Sequence, residues 1–218
     1  MRTSHTILFL AFAASVFTAC RKDDIRSSGH VVTEARSVPA FHAVRIEGPI
    51  DAKIRYGASQ MVTVRTDVNA IAYLRTSVSG NTLVLSLDQA NYHDGLRFEA
   101  TVDMPTISQL TQNGVAKVDL AGFHDLQRLE VTSNGVGDLT MHGSTDRLII
   151  TQHGVGQLNA SAMSADTCQV GLSGVGNLEL KVNHRLFGHL SGVGNIYYHG
   201  NPVVEVTDTG VGNVIRVD

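Results

Sequence analysis

Tryptophan is absent from this 218-residue sequence, and cysteine and proline are scarce, at 2 and 4 residues. Each scarcity excludes something. Four prolines beside 21 glycines rule out a collagen-like or proline-rich disordered chain. Two cysteines, one of them Cys20 at the leader's boundary, rule out a disulfide-stapled scaffold, because a lone Cys168 has no internal partner. Basic residues number 17 against 20 acidic ones, for a net charge of −3, and no basic stretch is long. A nucleic-acid partner needs a clustered basic face, so that class is excluded. No apolar run is long enough to cross a bilayer comfortably, since the longest near the N-terminus is Ile7 to Phe17.

That short run follows Arg2 and ends in "FTAC", which reads as a signal peptide over residues 1–19. A small residue, Ala19, directly before Cys20 is similar to a bacterial lipobox, although Phe17 stands where leucine is usual. The expectation is a lipidated Cys20 as the first mature residue, and a place in the cell envelope as an outer-membrane lipoprotein facing the periplasm or the cell surface. Residues 20–34, including "RKDDIRSSGH", are polar and read as a flexible tether.

What the chain has in quantity is one phrase. "NGVAKV", "NGVGDL", "HGVGQL", "SGVGNL", "SGVGNI" and "TGVGNV" begin at Asn113, Asn134, His153, Ser173, Ser191 and Thr209. Successive spacings of 21, 19, 20, 18 and 18 residues have the period of a solenoid. Four residues after the first glycine stand Val118, Leu139, Leu158, Leu178, Ile196 and Val214, and polar residues alternate with apolar ones on both sides of the phrase. Period-two alternation means strands, and no useful helix fits between them. The chain is therefore expected to be all-β, a β-solenoid with regular coils over about 107–218 and one Gly-rich corner per coil. Gly114, Gly135, Gly137, Gly154, Gly156, Gly174, Gly176, Gly192, Gly194, Gly210 and Gly212 are the corner glycines, placed there for tight stacking and positive φ. The valine between them is expected to point inward. The polar column Lys117, Asp138, Gln157, Asn177, Asn195 and Asn213 is expected to end in an amide ladder of asparagines bonded to one another.

Before residue 105 the chain is β in pattern but not periodic, and no linker separates it from the coils, so residues 35–218 form one domain in which an irregular β region precedes the solenoid. "RSVPAFHAVRIEGPIDAKIRYG", "NTLVLSL" and the repeated "GVGNL" together resemble the family of GIN-type head domains, over about Ala35 to Asp218. The resemblance implies a right-handed β-helix-like fold, a secreted or lipid-anchored location and no known catalytic activity. It supplies no site residue.

Solenoid enzymes act on acidic polysaccharides with stacked carboxylates. Asp119 and Glu179 lie two coils apart here, and Glu130 and Glu205 are separated by Ile149, Gln169 and Phe187, so no catalytic residue is assigned. The nonapeptide Ca²⁺ solenoid fails on its period. His142 and His199 share a column but stand about three coils apart, or ~14 Å, too far to share a metal. No metal and no cofactor is expected. Cys168 falls in a leucine column as a buried thiol. The surface candidates are apolar: Ile149, Phe187, Tyr197 and Ile215 in outward columns, a face for a glycan or an envelope protein. The last coil has an open edge at which two copies could meet. The leading reading is a lipid-anchored envelope protein with a non-catalytic binding, adhesion or scaffold role. Its alternatives are a polysaccharide-active enzyme and a purely structural envelope stress component.

Overall fold

The computed structural model describes residues 23–93 and 95–217; the expected signal peptide, Cys20 and Asp218 lie outside them. The strands run β1 (Asp24–Ile25), β2 (Val31–Arg36), β3 (Ala43–Ile46), β4 (Ile50–Tyr56) and β5 (Met61–Asp67). After a single 3₁₀ turn, Ile71–Tyr73, come β6 (Leu74–Ser79), β7 (Thr82–Leu87), β8 (Asn91–Tyr92), β9 (Phe98–Met104) and β10 (Gln109–Gln112). Four long bent strands follow, β11 (Val118–Ser133), β12 (Leu139–Gln152), β13 (Leu158–Leu172) and β14 (Leu178–Leu190). The series closes with β15 (Ile196–His199), β16 (Val203–Asp208) and β17 (Val214–Arg216).

Stacking is parallel and in register, as the columns require. Leu129 faces Leu148, which faces Cys168, which faces Leu186. These four, with Leu110, Val131, Ile150 and Val170 beside them, are at most 1% exposed. Each buried aliphatic side chain of this size contributes roughly 1.5–3 kcal/mol relative to exposure. Every coil therefore has a leg before its corner, a leg after it, and a bend opposite. At the bend, Phe123, Gly143 and Met163 share a register. Gly143 fits there because a Cβ would stand 1.8 Å from the Phe123 carbonyl oxygen, and the Met163 side chain fills the space left over it. The coils are β-solenoid turns of the expected length.

The region before residue 105 is less irregular than its sequence suggests. β3 lies under β10 and β4 under β11, both parallel, so Ala43–Tyr56 is a further coil beneath the first regular one. Its corner, "EGPI", places Gly48 below Gly114 and Pro49 below Val115. β7 and β9 form a still lower coil, paired parallel with β3 and β4. Sequence order and spatial order therefore differ: the earlier coil sits between two later ones. Antiparallel strands then close the lower end. β6 covers the edge of β7, β5 covers β9, and β2 covers β5. Such strands blunt an edge that would otherwise recruit another chain.

Of the flexible tether expected over 20–34, the described part, residues 23–34, is built into the fold. β1 pairs with β8, and β2 begins at Val31. Ser27 Oγ donates to Asp67 Oδ1 at 2.9 Å, and the N–H groups of Ser28 and Gly29 donate to the same oxygen at 2.8 Å. Burial disfavours the charged carboxylate, yet these donors hold it below its usual range. Short polar residues read as linker are here the donors that tie this segment to the cap.

The corner glycines set the stacking distance. A Cβ at Gly154 would stand 2.0 Å from the Gly135 carbonyl oxygen; one at Gly176 would stand 1.8 Å from that of Gly156, at a φ of +141°. Gly154→Ala and Gly176→Ala are expected to cost roughly 3–5 kcal/mol each in equilibrium urea unfolding. Val175→Thr, on the exposed valine between corner glycines, should stay within about 0.5 kcal/mol of the parent. Equal losses in all three variants would contradict the role assigned to the glycines.

Candidate functional site: the corner edge and the two faces

Because both corner glycines press against the coil below, the residue between them is turned outward. Val115, Val136, Val155, Val175, Val193 and Val211 are 48–70% exposed, not inward as expected. Each is joined to the next as a parallel bridge. For example, the Val136 N–H donates to the Gly114 carbonyl at 3.1 Å, and the Val155 N–H to the Gly135 carbonyl at 2.9 Å. The result is a ridge of valines along one edge of the solenoid. Beside it runs a shallow groove of about 480 Å³ over four coils, floored by glycines, with the valines on one side and His153, Ser173, Ser191 and Thr209 on the other.

The polar column on the other side of the ridge does not form a side-chain amide ladder. Each side-chain oxygen instead accepts the backbone N–H of the next coil. Asp138 accepts from Gln157 at 3.0 Å, Gln157 from Asn177 at 3.2 Å, Asn177 from Asn195 at 2.8 Å and Asn195 from Asn213 at 3.0 Å. These bonds satisfy main-chain donors at the turn, where no ladder strand can. Inside the corner, buried Gln112 and Gln152 donate to the carbonyls of Ala116 and Gly156, both at 2.7 Å. Leu172 and Leu190 stand at this position one and two coils after Gln152.

The four apolar residues expected to share a face are split. Ile149 and Phe187 stand on the leg before the corner, with Gln169 between them. Tyr197 and Ile215 stand on the leg after it, directly paired. Phe187 is covered by the Arg185 guanidinium, 4.7 Å from the ring centroid, and Arg185 also pairs with Glu205 on the next coil. Tyr197 instead borders a shallow pocket of about 290 Å³ with Gln157, Asn159, Asn177 and Glu179. Its hydroxyl accepts from Asn195 Nδ2 at 3.0 Å.

The hidden lower coils bring acids together where the regular coils do not. Asp51 and Glu99 are register partners in a groove of about 380 Å³ with Lys53, Lys117 and Asp119. Both acids have structural partners: Asp51 Oδ1 accepts the Lys117 N–H at 2.8 Å, and Arg65 binds Glu99 at 2.8 Å. Each acid thus has a role in the fold: Asp51 holds the main chain of the first repeat and Glu99 pairs with the neighbouring strand. His142 pairs with Ala162, whereas Lys181, the partner of His199, pairs with Ser164, so the bulge between them puts the two histidines in different columns. Among the described residues no group of three histidine, cysteine or acidic side chains could hold a metal ion.

Residues 40–202 match the family described as "putative auto-transporter adhesin, head GIN domain". The chain belongs to that family. Similar solved structures share the fold. A putative adhesin from Bacteroides fragilis is 22% identical, with a TM-score of 0.73, over 88% of this chain and 100% of that one. A putative adhesin from Parabacteroides distasonis is 18% identical, TM-score 0.58, over 89% and 100%. A putative lipid binding protein from the same species is 16% identical, TM-score 0.56, over 90% and 100%. No functionally curated protein matches the chain.

Cys168 lies in the core of this family member, fully buried, and burial pushes its thiol up to about 12. The folded state thus keeps a proton that the unfolded chain releases above its ordinary value of 9.0. Stability from this site is intact below that value and falls as pH rises from 9 towards 12. By that linkage the loss is ~1.4 kcal/mol by pH 10. Urea unfolding of Cys168→Ala should lack this component, although its stability at neutral pH is lower. The same fall between pH 8 and 10 in parent and variant would show that Cys168 does not cause it.

Proposed function

We propose that this chain is a lipid-anchored cell-envelope protein with a non-catalytic adhesin-like role, held to a membrane through Cys20, and that it binds an envelope or host glycan on the face after the corner. The family and two neighbours with the same fold carry adhesin descriptions, which supports the class. The observation that carries the glycan reading is the pocket at Tyr197. An aromatic ring stands there beside the side-chain amides of Gln157, Asn159 and Asn177 and the carboxylate of Glu179, on a rigid parallel sheet. Sugars present C–H faces that stack on aromatic rings and hydroxyls that need planar hydrogen-bonding groups. The amide oxygens here accept from Asn177, Ser161 and Asn195, and Glu179 bonds His199, so the pocket offers the Tyr197 ring and the amide NH₂ donors. Phe187, with its ring under Arg185, offers less. The enzyme reading loses support, since the paired acids Asp51 and Glu99 serve the fold.

A glycan and envelope-polymer screen tests this on the purified chain. Tyr197→Ala is expected to weaken the binding found by tenfold or more, consistent with ~1–2 kcal/mol for a stacked ring. Phe187→Ala should change it less than threefold. Binding by no polymer, or equal loss in both variants, would overturn the assignment.

A further inference from the structure

The valine ridge remains without a task. β-Branching at an isolated bridge suits the backbone, but threonine or isoleucine would serve as well, and all six coils carry valine at an exposed position. We propose that this edge seats the solenoid on a lipid surface: the molecule lies lengthwise, with the six valines against the apolar boundary of the bilayer that holds Cys20. The proposal rests on the lipid-anchor reading above.

Three observations point to this occupant. The first is where the chain joins the fold. The Asp23 carbonyl accepts the Asn91 N–H at 2.7 Å and its Oδ2 accepts the Tyr73 hydroxyl at 2.8 Å. Asn91 belongs to β8, in the connection that rounds the corner of the lowest coil. That same connection walls a cavity of about 370 Å³ with Pro49 and Val115, the foot of the ridge. Cys20 is three residues before Asp23, at most about 10 Å of extended chain. The lipid and the ridge therefore leave the protein at one edge. The second is width. Six coils at ~4.8 Å put about 24 Å between the end valines, in a ridge one residue wide. This falls short of the ~800 Å² per partner that a standard protein–protein interface buries. A bilayer needs no shape complementarity, and a covalent lipid makes the second contact intramolecular, so a weak apolar edge is enough. The third is charge. The columns flanking the ridge over the last three coils are Ser173, Ser191 and Thr209 on one side and Asn177, Asn195 and Asn213 on the other. Seating the edge over those three coils desolvates no charged side chain; over the first two, Lys117 and Asp138 flank the ridge and stay at the headgroup level. Ion pairs such as Arg185–Glu205 and Arg55–Asp103 stand on the two legs, away from the ridge.

The test uses the full lipidated chain in phosphatidylcholine vesicles. Cys168 is buried with a raised thiol, so a cysteine introduced by Val136→Cys or Val211→Cys labels selectively with an environment-sensitive fluorophore. Gln127→Cys, exposed at the opposite bend, is the control. Both ridge labels are expected to shift to the blue and brighten several-fold on vesicles, while the bend label does not. Val155→Asp/Val175→Asp/Val193→Asp, all at exposed positions, should abolish the ridge shift without changing the circular dichroism spectrum. Mass spectrometry of the same samples reports the lipid on Cys20. A lipidated chain whose ridge labels do not respond overturns the seating alone; absence of the lipid overturns the anchor reading and the seating with it. A ridge shift that grows with protein concentration and needs no vesicles assigns the edge to a second copy and overturns the proposal.

Discussion

Everything in this molecule depends on how closely one main chain can approach the next at the corner. Parallel strands stack along the legs with any side chains that alternate correctly, but the turn between legs has no such tolerance. At Gly154 the backbone of one coil lies where a Cβ would be, 2.0 Å from the carbonyl oxygen of the coil below. That approach lets the N–H groups of the corner valines from Val136 on reach the neighbouring carbonyls at 2.9–3.1 Å. It also turns the intervening residue outward, and so creates the exposed row of positions that the six valines occupy. The polar column next to it follows from the same turn, its side-chain oxygens accepting main-chain donors that have no ladder partner.

The regular coils were legible because their constraint repeats. Leu129, Leu148, Cys168 and Leu186 could be placed in one inward column from spacing alone, and the structure buries all four. The valines between the corner glycines were not legible. An invariant apolar residue reads as core, and only the backbone clash on both sides shows that it must face out. The lower coils were hidden for a different reason. Gly48 stands 66 residues before Gly114, its direct neighbour in space, so no period near 20 can find it. "EGPIDA" resembles "NGVAKV" only once the stacking is known. The segment at residues 27–29 has the serines and glycine of a solvated tether, and only the fold shows Asp67 gathering their donors.

The binding candidates show the limit of column reading. It placed Ile149, Phe187, Tyr197 and Ile215 outside, and all four are half-buried in outward columns. It could not show that the corner separates them into two faces, nor that Arg185 lies over Phe187 while Tyr197 stands among amides. Arg185 lies on the same strand as Phe187 and is paired with Glu205 one coil on, and the amides beside Tyr197 come from the two coils before it.

The coil formed by Ala43–Tyr56 lies between one coil made by residues 82–104 and another beginning at Gln109. It is therefore a template used twice, once on its lower side and once on its upper. Among the regular coils each layer is laid on its predecessor by closing a loop of about 20 residues; here the lower layer returns after 39 to 48 residues and the upper after 66. By the logarithmic dependence of loop closure, the upper return costs about 1 kcal/mol more than an ordinary turn of the stack. The solenoid thus has a middle from which it extends in opposite directions, and its costliest seam lies next to that middle, between the hidden coil and the first repeat.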